Sequence, residues 1–402
     1  QQLDRHLRVL STGAAHDSNG RIAISGYRTV SGTRSMAVWM LTSNGALDTA
    51  GFSGGTLTLD RGVAGAQDQA LAIYAANGID IIAGTLSDFI VAGSVQDSGQ
   101  VSVGAAIVVH PNGTLNFDSS GNSAFATGPY TGARYTRTTI GAPAATCNSE
   151  LTSIAFKTTN IGIARTYVGG NLNCPDDSSH WTYAASLDSS RMLDPAFGNS
   201  GSGYAYFAFE STLGVKRSFA TAIGIDPFER AIVAGYVRDE STLVPIAMGA
   251  AMLNTAGFLD NNFAGVGYRS IIWPGSAGAS ARALRMQRNG KILLAGRVVT
   301  DSIGDFALAR VNLDGSSDTA YGDPMWNGIG RTYHFFIENQ YADAGAAATA
   351  FMYGERVVLA GYTQDPRPGL TENTYAGAMR IEGDLILGDS FGIYLDGRLP
   401  TP

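Results

Sequence analysis

The chain has 402 residues, 15% of them charged and 45% apolar, with 51 glycines and a net charge of −7. That length accommodates two or three ordinary domains or one large repeat-built domain, and apolar residues spread along all of it exclude disorder. Positive charge is scattered arginine plus Lys157, Lys216 and Lys291, which excludes a nucleic-acid surface, and no apolar run reaches the ~18 residues of a membrane span.

In chain order, the strand signal "LRVLST" leads to "RIAISGY" at 21–27, then "MAVWMLTSNG", then a glycine-rich corner at Gly51–Gly55. The pattern restarts with "QALAIYAANG", "FIVAGS" at 89–94, "AAIVVHPNG" and "LNFDSSG" from Leu115. A stretched, decorated region follows from Ser119 to Trp181, containing "ARTYVGG" at 164–170, and the corner "LDPAFGNSGSGY" comes after it at Leu193–Tyr204. Next come "SFATAIGID", "RAIVAGY" at 230–236, "IAMGAAMLNTAG" and "LDNNFAGVGY" at Leu259–Tyr268. The fifth set is "ARALRMQRNG", "KILLAGR" at 291–297, "DFALARVNLDG" and "SDTAYGDPMWNGIGR" at Ser317–Arg331. The last is "AAATAFMYG", "RVVLAGY" at 356–362, "YAGAMRIEG", "LILGDSFG" from Leu385 and "FGIYLD" at Phe391–Asp396.

Short runs rich in Val, Ile, Tyr and Phe between Asn-Gly and Asp-Gly turns are strands. Taking Gly26, Gly93, Gly169, Gly235, Gly296 and Gly361 as equivalent anchors, the spacings are 67, 76, 66, 61 and 65. Gly84 is a competing anchor in the second unit, and Gly93 is preferred for regularity. Six units of four short antiparallel strands make an all-β fold, a six-bladed β-propeller of four-stranded antiparallel blades forming a single domain over 1–402. Alanine alternating in each first strand suits the crowding near a propeller axis, so that strand is placed innermost. "FGIYLD" is read as the outer strand of the last blade. In "LDPAFG" the Leu and Phe are expected to tuck into the sheet, Asp194 to bond nearby amides and Gly198 to turn the chain.

The stretch "NGKILLAGRVVTDSIGDFALARVNLDGSSDTAYG" (Asn289–Gly322) resembles the delta-60 repeat, a bacterial β-propeller repeat running "DGKIVVAG…DFALARYN-DG-LD-FG". The resemblance is strong over 190–392, moderate over 20–120 and poor over 120–190. It implies the propeller fold and says little of function, because its motif residues are turn and core residues. The corners at Leu115 and Leu385 depart from the pattern.

Gly51-Phe52-Ser53-Gly54-Gly55 matches the G-x-S-x-G nucleophile elbow, but that elbow needs a strand-to-helix turn, and here the motif occupies the repeated corner. His6, His16, His110, His180 and His334 form no metal-ligand pair, and "DGSSD" (Asp314–Asp318) lacks the alternating ligands and closing Glu of a calcium loop. No metal site and no cofactor are expected, although a structural calcium ion in the axial channel, with ligands from several blades, is compatible with the sequence. Glu210, Glu229, Glu240 and Glu355 sit in or beside turns and read as solvated.

The decorated region gathers Tyr130, Arg134, Tyr135, Arg137, His180 and Trp181. Aromatics with arginines give flat apolar area rimmed by donors, so these six are the candidate ligand-binding residues, against the plainer reading that they fill the gap between two divergent blades. No catalytic residue is identifiable. Cys147 and Cys174 are mirror positions about a turn in "KTTNIGI", where strands at about 151–157 and 163–169 would face each other, so a disulfide is expected. The start at Gln1-Gln2 suits a mature chain whose leader has been removed, so with a disulfide a secreted or periplasmic protein is expected, and the delta-60 resemblance implies a bacterial one. The function expected is a binding or scaffolding module for carbohydrate, cell-surface polymer or a protein surface, acting as a monomer. The alternative is an extracellular hydrolase or lyase with its active site at the channel mouth.

Overall fold

The computed structural model describes residues 8–17, 19–59, 65–75, 89–96, 102–114, 147–158, 164–174, 179–188, 193–198, 202–210, 216–287, 289–300, 303–322, 330–334, 343–351, 357–364, 374–381 and 391–393. The chain divides into two compact units, Gln1–Phe207 and Ala208–Pro402.

The first unit contains three antiparallel sheets. One has four strands in order, β1 (Arg8–His16), β2 (Ile22–Val30), β3 (Thr33–Leu41) and β4 (Thr56–Leu59). The next has β5 (Gln69–Ala75), β6 (Phe89–Gln96) and β7 (Ser102–Val109), and the third has β8 (Asn148–Thr158), β9 (Ala164–Cys174), β10 (Ser179–Leu187) and β11 (Tyr204–Phe207). The second unit holds three four-stranded sheets. They are β12 (Lys216–Ile225) to β15 (Tyr268–Ile271) through β13 (Ala231–Asp239) and β14 (Val244–Leu253); β16 (Gly278–Met286) to β19 (Arg331–His334) through β17 (Ile292–Thr300) and β18 (Ile303–Val311); and β20 (Asp343–Phe351) to β23 (Phe391–Ile393) through β21 (Val357–Gln364) and β22 (Thr374–Ile381).

Among the described residues there are thus five four-stranded sheets and one three-stranded sheet, against the six four-stranded blades expected. The corner from Leu115 that would lead to the missing strand lies outside the described residues, as do the corner at Leu385 and residues 1–7. Each sheet uses consecutive strands, so Phe391–Ile393, the described part of "FGIYLD", is the last strand of the last sheet, at the edge opposite β20, as expected.

First strands of successive sheets pack on each other, β1 on β5 and β5 on β8 in one unit, β12 on β16 and β16 on β20 in the other. The Ala-rich first strand is thus an edge strand of its sheet and, within each unit, packs on its counterpart in the next. The core lies between sheets: Met36, Val38 and Phe52 meet Phe89, Val91 and Ile107 in the first unit, while Met248 and Phe263 meet Leu284, Ile292 and Leu294 in the second.

Every first strand carries a β-bulge at the same place, at Thr12, Leu71, Thr152, Thr221, Arg282 and Ala347. The residue before the bulge pairs with the anchor glycine, as Ala220 does with Gly235. The bulge pushes a carbonyl oxygen at that glycine. A Cβ built on Gly93, Gly170, Gly235 or Gly296 would lie 2.0, 1.9, 1.8 or 2.0 Å from the carbonyl oxygen of Gln69, Glu150, Phe219 or Ser280. The recurring "small-Gly" ending is thereby explained. It also corrects the alignment, since Leu151 pairs with Gly170 and the third anchor is Gly170 rather than Gly169.

The recurring "LD-x-x-FG" phrase is a corner after the third strand. Phe52, Phe197 and Phe263 are fully buried, and Asp194 accepts from the Ala196 amide at 2.9 Å while Gly198 takes a φ of 83°. Leu193 tucks in as expected, half-buried against the core around Leu187 and Tyr204. The backbone at this position bridges the third strand (Leu187 with Leu193, Leu253 with Leu259), and Leu47 is 45% exposed.

The Cys147–Cys174 disulfide is present, with a Cα separation of 4.1 Å. Asn148 faces Asn173, the mirror relation expected, but past the Thr152 bulge the pairs are centred one half-step later, as Ser153 with Gly169 and Thr158 with Ala164.

Candidate functional site

The two ends of the sheets differ in chemistry. At the end carrying the hairpin between first and second strands, an arginine is clamped by two aspartates. Arg230 Nε donates to Asp226 Oδ2 at 2.7 Å and its Nη1 to Asp260 Oδ2 at 2.6 Å. Arg21 does the same with Asp17 at 2.8 Å and Asp48 at 3.2 Å. Burial opposes the charge on Asp260, yet hydrogen bonds from Arg230 and Asn262 outweigh it and hold its carboxyl below the usual range. Desolvation likewise works against the Arg230 guanidinium, and its bonds to Asp226 and then Asp260 hold its pKa above the ordinary value. These carboxylates are consumed by the fold.

"DGSSD" behaves as a turn. Asp314 Oδ1 accepts from the Ser316 amide at 2.9 Å and hydroxyl at 2.7 Å, and Asp318 accepts from Arg310 Nε at 2.7 Å. Ser53 begins a single 3-10 turn that runs into β4 with no helix after it, so the G-x-S-x-G stretch is a corner. Among the described residues no three His, Cys, Asp or Glu side chains come together in a way that could hold a metal ion.

The opposite end, where first strands begin and second strands finish, carries an aromatic–arginine stack in the second unit. Phe219 on β12 and Tyr236 on β13 are cross-strand partners, stacked with centroids 5.0 Å apart and planes 14° from parallel. The Arg238 guanidinium lies 4.4 Å over Phe219, and that of Arg282 on β16 lies 5.3 Å over Tyr236. Glu240 fixes the near end, accepting from Arg238 Nε at 2.7 Å and pairing with Arg217 Nε at 3.3 Å. The order is Arg238, Phe219, Tyr236, Arg282. Arg282 is exposed, and the aromatics are half-buried. Glu240 and Glu210, read as solvated, are corrected here: Glu240 is mostly buried in ion pairs, and Glu210 accepts from Ser270 at 3.2 Å.

Of the six ligand-binding residues expected from the sequence, Tyr130, Arg134, Tyr135 and Arg137 lie outside the described residues. His180 and Trp181 stand at the start of β10, on the same type of sheet end as the stack. As neighbours on one strand they alternate to opposite faces. Trp181 packs against the core around Leu172 and Cys174 and meets exposed Tyr206 edge-on at 5.9 Å. The sequence reasoning missed the stack. The signal available was "GYVRDE" beside "KRSFATA"; the contribution of Arg282, from the next repeat, had none.

Residues 18–50 and 287–321 match the family described as "Domain of unknown function (DUF5122) beta-propeller". These two segments are similar to β-propeller repeats. No curated protein matches the sequence. Among solved structures, an α-L-arabinofuranosidase from Fusarium graminearum is similar over 94% of each chain at 9% identity and a TM-score of 0.46. An endo-arabinase from Bacteroides thetaiotaomicron is similar over 93% of this chain and 94% of its own, at 9% identity and a TM-score of 0.34. Sqt1 from Chaetomium thermophilum is similar over 97% and 84%, at 10% identity and a TM-score of 0.36. Likenesses this distant carry nothing about function.

Proposed function

We propose that the six sheets are the blades of one six-bladed propeller domain of delta-60-type repeats over 1–402, exported by a bacterium, and that it is a monomeric binding module for carbohydrate or cell-surface polymer. The observation that carries this reading is the Arg238–Phe219–Tyr236–Arg282 stack, a preorganised, partly exposed row of planar groups rimmed by donors. The disulfide supports an oxidising location. The carboxylates around the stack are already engaged: Glu240 in ion pairs, and Asp239 in accepting from Ser241. Retention of the full chain on a panel of immobilised polysaccharides and cell-wall fractions tests it. Retention on at least one is expected, and retention on none rejects it. Release of new reducing ends from any of them would instead assign the hydrolase or lyase reading.

A further inference from the structure

The six bulge positions offer a comparison internal to the molecule. Thr221 Oγ1 lies 3.3 Å from the carbonyl oxygen of Ala234 on its own sheet and 3.0 Å from that of Ala281 on the next. Thr12 reaches Ser25 and Ala70 in the same way, at 3.2 and 2.6 Å, and Thr152 reaches Gly169 at 3.3 Å. Leu71 and Ala347 are the other small or apolar occupants. The fifth position holds Arg282, a long cation on the first strand of its sheet. Among the described residues it makes none of the threonine's hydrogen bonds and pairs with no carboxylate, and its guanidinium lies over the face of Tyr236. Bulges re-aim side chains, and a break in a repeated local rule without a compensating contact is expected at functional sites.

Charge points the same way. Among the described residues Arg217, Arg238 and Arg282 surround the stacked pair with Asp239 and Glu240 as the carboxylates beside them, leaving one positive charge in excess. Stacking on Tyr236 restricts the Arg282 guanidinium, so little further entropy is lost when it closes on an oxyanion in a bidentate pair. Arg238 lies over Phe219 and Arg282 over Tyr236, the two different rings of the stacked pair. A ligand whose anions recur along its length meets both.

We infer that the stack is a subsite for acidic glycans, with Arg282 binding a uronate carboxylate or a sulfate ester and Arg238 a second anion further along the polymer. The inference rests on the carbohydrate-binding reading and names the ligand class for it. Its test is calorimetric titration of the full chain and of Arg282→Thr with oligogalacturonate, dextran sulfate, neutral dextran and poly-L-glutamate. Arg282→Thr restores the residue of three other bulges, so its melting temperature should match the parent, which separates binding from folding. Expected are binding of oligogalacturonate or dextran sulfate, whichever is tighter naming the oxyanion, and an affinity about tenfold lower in Arg282→Thr. Equal affinities for parent and variant, or no binding of either acidic glycan, overturn the inference. Neutral dextran bound equally by both proteins overturns it too while leaving the proposed function standing. Tighter binding of poly-L-glutamate than of either acidic glycan overturns it in favour of a protein ligand.

Discussion

Replacing Gly235 by alanine tests the account of the repeat most directly. The new Cβ would lie 1.8 Å from the Phe219 carbonyl oxygen, 2.8 Å from its carbon and 3.0 Å from Ala220 Cα. All three are backbone atoms of β12, so no side chain can swing aside. Relief requires separating β12 from β13 by about 1 Å at the bulge, which loosens adjacent ladder hydrogen bonds and the packing of Ala220 and Val233. Overpacking of a core without escape costs about 1–3 kcal/mol, and a clash with fixed backbone belongs at or above the top of that range, about 3–5 kcal/mol. The control is Gly265→Ala, where φ is 78° and nothing lies within 4 Å, so that only the left-handed backbone penalty of about 1–2 kcal/mol is felt. Urea unfolding of both variants, read at constant m-value, gives the comparison. A Gly235→Ala loss no larger than that of Gly265→Ala would refute the bulge explanation of the anchor glycines.

Three further outcomes are expected. Replacing Cys147 and Cys174 by alanine should cost about 3.5 kcal/mol for a 27-residue separation on the loop-entropy model, and titration of the denatured, unreduced parent should find no free thiol. Asp260→Asn should destabilise the protein above about pH 4, where an unfolded carboxyl is ionised. Because the folded pKa of Asp260 is lowered, its contribution is lost as pH falls through that depressed value, so parent and variant stabilities should converge in acid; a pH-independent gap in urea midpoints would contradict this. Thr221→Val removes a donor poised between two sheets and should cost about 1 kcal/mol, with no loss in denaturation assays arguing against the cross-sheet role.

How much of this was legible in the sequence depended on whether the signal was local. Strand runs, Asn-Gly turns and the corner at Gly51–Gly55 are local, and the structure agrees with them. The Cys147–Cys174 pairing was also legible, because a hairpin makes partner positions symmetric. Bulges are not legible: an extra residue in an extended strand alters no pattern of apolar spacing, so the adjacent Gly169 and Gly170 could not be told apart, though only Gly170 faces Leu151. Glu240 looked solvated because the arginines that bury it, Arg217 and Arg238, come from two strands. His180 and Trp181, adjacent in sequence, were grouped as one surface although a strand sends them to opposite faces.

The fifth sheet shows how a structural departure differs from a functional one. Where the first and fourth sheets have Asp17 with Arg21 and Asp226 with Arg230, it has Gln287 with Lys291. The lost charge pair is replaced nearby. Arg310 stands where the other two sheets have Met40 and Met252, donating to Asp318 at 2.7 Å and reaching Gln287 at 3.4 Å, and Lys291 completes the group 3.5 Å from Asp318. Burial opposes the Asp318 charge, and the Ala320 amide with Arg310 and Lys291 more than offsets it, so its carboxyl stays below the usual range like that of Asp260. The clamp has been rewritten, and each new group has its partner. Arg282, in the same sheet, breaks the bulge pattern with no such repair: no carboxylate among the described residues answers it, and the carbonyls that a threonine would reach gain nothing from it. A substitution that the fold compensates reports on the fold. One that no described residue compensates, exposed on a first strand and held against an aromatic face, is where the ligand should be sought.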